Sequence, residues 1–589
     1  MQHSWRRLWK WSAAVLGSLV ILLALAIGAL RIALEQVPQY REDIRGWINR
    51  STGLIVEFRD LKPRWRFYGP EVYFTEAKLK APLTGQVLVE ARAGSVGIDL
   101  WHLLFRAELL PGRVALERPE LNFVRTPAGR IELLGQEAIH RRDPSKPPLS
   151  LDSLPTGRLD IENAILTYTD LGREHASWRL SDIGVRIERD RNDLSVKGHI
   201  DLPEKLGSTL DFSGASAGRL GEPDKLDWQF EIVARDLRFA GWTELLGGSL
   251  GERLRLPGAG RGGLRLAAHF AGIDLKEAQL RLQLSDVTLG DGTAELPQAR
   301  YEVLAGDFVL RATQGAWHLA GKDIELNRVN QPWSTPGFTA DWRFDNHHLS
   351  SLKASAAYLR LDNLTPLIAV LPPGPLRTRL IELSPEGEVR DLSIDFVDTA
   401  GETPDLRAFD ARLAGVGFGP SGRAPGVRGI TGRLTGRANH LSADIDSRQL
   451  AFLAPIVFRV PLVVDRLQAR LEADYRATGV RIEAHQVAIA SPHAQATAEM
   501  SVWIPSDGSS PVLDLEAHAK NADASKAWQY MPVNKLGDKT LAWLDQAFVA
   551  GLVPEAEVVY RGPTHSFPFR DGQGLFRITG RTENMTLSY

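Results

Sequence analysis

From Leu54 onward, apolar residues fall on alternate positions in run after run. Leu159 and Ile161 alternate, as do Ile183, Val185 and Ile187, and Leu194, Val196, Gly198 and Ile200. The pattern continues through Trp228, Phe230, Ile232 and Ala234, then Leu264, Leu266, Ala268 and Phe270, then Leu280, Leu282 and Leu284. It returns at Ile394 and Phe396, at Leu467, Ala469, Leu471 and Ala473, and at Ala498, Met500, Val502 and Ile504. The interleaved residues are mostly Arg, Glu, Asp, Lys, Ser and Gln. Successive side chains of a strand point to opposite faces, so each run is a strand with one apolar and one wet side. Turn signals at Thr156-Gly157, Asp190–Asp193, Leu289–Gly292 and Pro505–Gly508 divide the runs. The pattern predicts a long antiparallel β-meander.

Such a chain has an apolar face to cover and little to cover it with. Helical spacing is confined to Trp242–Leu250, Leu364–Leu371, Ser525–Tyr530 and Lys535–Ala550, and the Pro-rich Arg141–Pro148 reads as a loop. Two sheets could pack as sandwiches, strands could close into barrels, or one sheet could curl into a gutter with an apolar inside. The 53 Gly and 34 Pro are scattered as punctuation rather than gathered into linkers, which favours the gutter. Alternation alone then assigns Ile161, Ile183, Val185, Leu264, Leu266, Leu280, Leu282, Leu284, Leu310, Ile394, Phe396, Leu467 and Leu471 to its lining. An apolar trough that protein does not fill calls for an apolar occupant. No strict repeat of the propeller or leucine-rich kind is present, although Arg235-Asp236-Leu237 and Arg390-Asp391-Leu392 both lie beside strands.

Ahead of this body, Ser12–Leu30 is an uncharged run of 19 residues. At about 1.5 Å per residue it spans roughly 28 Å as a helix, the thickness of a bilayer's hydrocarbon core. Ala24-Leu25-Ala26 resembles a signal-peptide cleavage site, but the apolar run continues past it. Arg6, Arg7 and Lys10 precede the run, and a cationic tip favours a cytoplasmic N-terminus. The expected organisation is a cytoplasmic tip over 1–11, a transmembrane helix over 12–32, an amphipathic helix over 38–50 and an elongated β-groove over 51–589. Tyr40, Ile44, Trp47 and Ile48 share one face of the second helix. Trp9, Trp11, Tyr40 and Trp47 are candidates for the membrane interface; packing of the second helix on the first strands is the alternative.

Several function classes are disfavoured. A net charge of −2 gives no global field for nucleic acid, and the absence of cysteine removes disulfides, thiolate metal sites and cysteine nucleophiles. Gly214–Gly218 matches G-x-S-x-G, but a loop rather than a helix follows it. Gly258–Gly263 matches G-x-G-x-x-G, but a strand pattern follows where a dinucleotide site needs a helix. His347-His348 lacks metal-ligand spacing and reads as a solvated turn, and Arg64-Trp65-Arg66 reads as a surface aromatic between charges. The expectation is no enzyme, no cofactor and no metal.

Two sets of residues carry a family resemblance. Near the start are Thr52-Gly53, Trp65 and Gly69-Pro70 after the two helices; near the end are Tyr530-Met531-Pro532, Trp543, Tyr560-Arg561-Gly562-Pro563, Phe567-Pro568-Phe569 and Gly574-Leu575-Phe576. With these the chain resembles the AsmA-like family of bacterial envelope proteins, most closely its YhdP members. The resemblance implies an inner-membrane anchor, a periplasmic β-groove and phospholipid movement towards the outer membrane, with no catalytic residues. It also implies that Leu587-Ser588-Tyr589 stops short of the groove's end. Other envelope proteins are possible partners. The alternative from the residues alone is a non-catalytic tether or assembly scaffold built of packed β-sandwiches.

Overall fold

In the computed structural model the described residues are 55–588, except 67–68, 81–84, 86, 99–110, 126–130, 134–155, 172–175, 191, 220–221, 247–257, 290–297, 346–347, 371–373, 399–404, 423, 532, 535 and 571, together with Ser18, Ile21, Gly28 and Glu42. The chain divides into two compact units, Met1–Leu256 with Gly262–Lys276, and Pro257–Arg261 with Glu277–Tyr589.

The first unit holds β1 (Ile55–Glu57), β2 (Asp60–Arg66), β3 (Gly69–Lys80), β4 (Val87–Ile98), β5 (Pro111–Arg125), β6 (Ile131–Leu133), β7 (Gly157–Asp170), β8 (Ala176–Arg189), β9 (Asp193–Asp201), β10 (Thr209–Ala217) and β11 (Asp227–Arg238). Helix α1 (Phe239–Leu246) follows, then β12 (Ala259–Ala271). From β3 to β11 the strands pair in near-sequential order, with β1 and β2 side by side on β3 and β6 on β5. One pair departs from the antiparallel expectation: β5 and β7 run parallel, Val114 opposite Leu159 and Leu116 opposite Ile161. A parallel neighbour requires the chain to cross back over the sheet, and the 31 residues between Arg125 and Gly157 supply that length.

The second unit continues with β13 (Asp274–Leu289), β14 (Ala299–Thr313), β15 (Ala316–Arg328), β16 (Ser334–Asp345), β17 (His348–Arg360), β18 (Glu386–Val397), β19 (Asp405–Phe418), β20 (Gly426–Arg437), β21 (His440–Leu453), β22 (Leu462–Arg476), β23 (Gly479–Ala490), β24 (Gln495–Pro505), β25 (Val512–Asp523), β26 (Phe548–Pro563) and β27 (Leu575–Leu587). From β13 on, each strand pairs antiparallel with the next, and among the described residues β27 pairs with nothing further, so the sheet stays open.

Helices are few, as expected, and they sit slightly differently. α1 begins earlier than the spacing suggests. Leu361–Leu364 (α2) runs into a 3-10 turn over Thr365–Val370, and Pro375–Leu383 (α3) has no counterpart in the expectation. Ser525–Tyr530 lies within a 3-10 helix, and α4 (Asp538–Ala547) ends where β26 begins, so Phe548 is a strand residue.

A recurrent backbone device was not anticipated. In twelve strands one non-glycine residue has φ between 49° and 58°: Glu76, Arg118, Asn163, Asp182, Asp236, Asp286, Asp323, Asp391, Gln449, Gln486, Asn521 and Asn584. Asp and Asn tolerate this left-handed region best among side-chain-bearing residues. At Asn163, Asp182, Asp323, Asp391 and Gln486 the pairing register slips, the signature of a β-bulge. Apolar alternation switches parity at the same point. In β13, Leu280, Leu282 and Leu284 give way across Ser285-Asp286 to Val287 and Leu289; in β8, Trp178 and Leu180 give way across Ser181-Asp182 to Ile183, Val185 and Ile187. The extra residue would turn the rest of each strand inside out, and the switch in sequence restores it. The two Arg-Asp-Leu segments noticed in the sequence are each centred on one of these left-handed residues.

Candidate functional site

Directly opposed strand residues share a face, so the pairing registers trace the apolar surface. In the second unit one row runs Ala278, Leu310, Leu319, Ala340, Ala354, Ile394, Phe409, Gly436, Leu441, Ala473, Ile482, Val502, Leu513 and Gly562, each paired with the next. It crosses 14 strands without a polar residue, a path of roughly 60 Å at about 4.8 Å per strand. All of these residues are half-buried, neither sealed in a core nor free in solvent. A parallel row runs Ala443, Leu471, Ala484, Met500, Leu515, Tyr560 and Phe576.

The first unit repeats the arrangement. Phe74, Gly94, Leu116, Ile161, Val185, Gly198, Phe212 and Ile232 form one row, with Ile183 beside it. Phenylalanine rings lie over the cross-strand glycines Gly94 and Gly198, where a Cβ would collide with the ring. Phe230 stacks on Phe270 at 5.9 Å, which puts Leu264 and Leu266 on the same side by alternation. Of the thirteen residues singled out from the sequence, Ile183 and Leu284 are buried at 7 % and 8 % exposure, and the others are half-buried.

The opposite face is polar and laced with cross-strand ion pairs. Arg281 holds Asp307 through two 2.7 Å hydrogen bonds, Arg433–Asp410 and Arg466–Asp446 repeat the two-bond geometry, and Arg470 donates once to Asp444 at 2.9 Å. The Arg281 hydrogen bonds keep the Asp307 carboxyl below its ordinary range. In the first unit Asp160 is buried beneath Arg113, Arg158 and Arg186 at 2.6–2.9 Å, a knot tying β7 to β5 and β8. Burial pushes that carboxyl up, but the three arginine hydrogen bonds outweigh it and hold it down.

Beyond the line of bulges the apolar face is roofed by the chain itself. α2 packs there: the Tyr301 hydroxyl donates to the Asn363 carbonyl at 2.6 Å, the Asn363 amide donates to the Leu326 and Gln331 carbonyls, and Arg328 reaches the Asp362 carbonyl at 2.9 Å. Beneath it Tyr301, Val287, Leu326 and Trp333 are buried, and burial pushes the Tyr301 phenol up. The segment between β25 and β26 meets the β21–β22 connection at the same end, with the Val533 amide donating to the Val457 carbonyl and Arg459 bonded to Asp545 on α4. In the first unit the Trp242 indole on α1 donates to the Leu206 carbonyl.

The motifs dismissed from sequence stay dismissed on geometry. Ser216 lies inside β10 opposite Leu194 and Trp228, and its buried hydroxyl has no partner. Gly258–Gly263 lies within β12, a strand, from Ala259 on. Trp65 is exposed on β2, Arg64 stacks over Tyr73 at 3.7 Å and Arg66 pairs with Glu71. Glu472, Glu483 and His485 lie close enough to share a cation, but they are ordinary polar-face residues of β22 and β23. His347 lies outside the described residues. So do Trp9, Trp11, Tyr40 and Trp47 and nearly all of 12–32 and 38–50; Ser18, Ile21, Gly28 and Glu42 are helical. Among the described residues no helix is long and apolar enough to cross a membrane.

Comparison with known proteins finds similarity along this whole sequence. The family described as YhdP protein matches residues 1–589. The Escherichia coli protein named intermembrane phospholipid transporter YhdP is 23% identical over 600 residues, covering 97% of this chain and 44% of that protein. The chain thus spans less than half the length of that relative. No solved structure matches.

Proposed function

The chain belongs to the YhdP family, and from that premise we propose that it carries phospholipid along the apolar face of its β-sheet, as a non-enzymatic, inner-membrane-anchored bridge across the periplasm towards the outer membrane. The observation that carries this reading is the uninterrupted 14-strand apolar row of half-buried residues. Water-exposed apolar surface costs about 25 cal/mol per Å², so a half-covered strip of this length favours an apolar occupant. A row without a polar break has no single deep site, and an acyl chain meets similar surroundings at each strand. Helix 12–32 would anchor the chain, with Tyr40 and Trp47 at the lipid interface and residues 1–11 in the cytoplasm.

The test places a charge across the row. A buried unpaired charge costs several kcal/mol. On a surface that holds lipid, Leu282→Asp or Leu471→Asp should yield folded, membrane-inserted protein that no longer supports phospholipid movement, while Arg281→Asp on the polar face should keep it. Photo-crosslinkers at Leu282 and Leu471 should capture phospholipid, and those at Arg281 and Arg470 should not. If the inward substitutions unfold the protein and none of the inward crosslinkers captures lipid, the face is packed against protein and the scaffold reading replaces this one.

A further inference from the structure

The two ends of the strands in the second unit are built differently. At one end lie the long connections 361–385, which roofs the face with α2, and 454–461 and 524–547, which bond to each other. At the other end are two-residue turns at 314–315, 438–439 and 477–478, with longer connections at 506–511 and 564–574, the last of which folds Phe567 and Phe569 onto Tyr560. From β13 to β24, among the described residues, no helix or 3-10 segment leaves the strands at that turn end, and the apolar face between it and the bulges stays uncovered. In β13 the open stretch runs from Ala278 to Leu284 and in β23 from Val480 to Ala484. At about 3.4 Å per residue these are roughly 14–20 Å deep, close to the ~15 Å of one leaflet of a bilayer core.

The turn end has the chemistry of a leaflet's polar boundary. On the apolar side Trp317 stacks on Trp342 at 6.3 Å, and Tyr475 is 49 % exposed. Trp and Tyr are the residues that favour an apolar–aqueous border. On the other side of the same strand ends stand Arg343, Arg437 and Arg476, all exposed and without an ion pair among the described residues. Arg281, Arg433, Arg466 and Arg470, which lie farther from the turns, each hold an aspartate. A guanidinium left free at the rim matches a phosphodiester in charge and fork geometry.

Building on the proposed lipid carriage, we infer that phospholipid lies on the second unit with its acyl chains parallel to the strands and its phosphate at the two-residue-turn end, contacted by Arg343, Arg437 and Arg476. The roofed end is closed to headgroups because Asn363, Tyr301 and Trp333 already fill it. Lipids would then advance sideways from strand to strand, headgroups travelling along one rim only.

Two phosphatidylethanolamine probes test this in the full chain extracted from membranes, one with a diazirine in the acyl tail and one with a diazirine on the headgroup. The tail probe should label peptides around Leu282, Ile445 and Ile482. The headgroup probe should label peptides around 314–317, 342–345, 437–440 and 475–479. Arg343→Gln, Arg437→Gln and Arg476→Gln combined should lower headgroup labelling about fivefold, the upper range for an exposed charge contact, while Arg433→Gln should leave it unchanged. Excess inorganic phosphate should not displace the probe, since it lacks the acyl anchorage; displacement would mean a free-anion site and overturn the inference. Headgroup labelling at 361–383 or 454–461, or equally at both ends, overturns it while leaving the lipid reading intact. Absence of tail labelling anywhere on the apolar face would sink both.

Discussion

Removing the single residue Asp323 tests the parity switch at its root. In β15, Trp317, Leu319 and Gly321 face the apolar side before the bulge, and Ile324 and Leu326 face it afterwards. Asp323, at φ 49°, is the residue that makes both halves possible. Without it the strand must keep one uninterrupted alternation, and Ile324 and Leu326 turn to the polar face. They are 4 % and 5 % exposed, and each loses about 2–3 kcal/mol of burial. The deletion should therefore cost about 4–6 kcal/mol, comparable with the whole stability of many domains. Substitutions at the same place separate the backbone from the side chain. Asp323→Asn should be close to neutral, and Asp323→Val should cost about 1–2 kcal/mol because a β-branched residue resists a left-handed conformation. Urea unfolding of the detergent-solubilised chain, followed by tryptophan fluorescence, reads all three. A deletion no worse than Asp323→Val would refute the parity account and leave the bulge a local irregularity.

Two further expectations concern the first unit. Asp160→Asn should cost about 2–3 kcal/mol, the low side of a broken buried pair because its arginines are partly exposed. Since the folded pKa of Asp160 is depressed below 3.8, its contribution is fully present above that value and is lost as pH falls through the folded pKa. Wild type and Asp160→Asn should thus converge in urea midpoint below about pH 4 and differ most at neutral pH. Ser216→Ala removes a buried hydroxyl that has no partner, so unfolding should show it neutral or slightly stabilised, and a complementation test should show function retained; loss of function with normal protein levels would revive a catalytic reading.

Strand identity and facing were legible from sequence because both depend on a period of two that a residue's neighbours reveal. Leu280 and Leu310 meet on one face as alternation requires. The parallel β5–β7 pair was not legible, since pairing direction depends on a crossover whose path leaves no local pattern. The roofing segments were only half legible. α4 has helical spacing, but nothing in Leu361–Leu364 announces that Asn363 will bury its amide against backbone carbonyls 32 and 37 residues away. The bulges were hidden for a different reason. A window centred on Ser181-Asp182 or Lys322-Asp323 mixes two phases of one alternation, and the phases cancel into apparent irregularity.

That hidden repeat also accounts for why one sheet face has two fates. A strand of fourteen to sixteen residues with unbroken alternation would present one flat apolar strip, all roofed or all bare. A left-handed residue near the middle bends the strand and raises its local twist, so the two halves of the face aim in different directions. The half beyond the bulge meets the strand connections and is closed by α1, α2 and the 524–547 segment. Between β14 and β15, β20 and β21, and β22 and β23 the half before it ends in two-residue turns, too short to reach back over the sheet. The uncovered band is thus a consequence of loop length on one side and backbone chirality in the middle. Leu282, next to the switch, and Leu284, where exposure falls to 8 %, mark its inner limit, which is where acyl methyl ends would stop if the lipid lies along the strands.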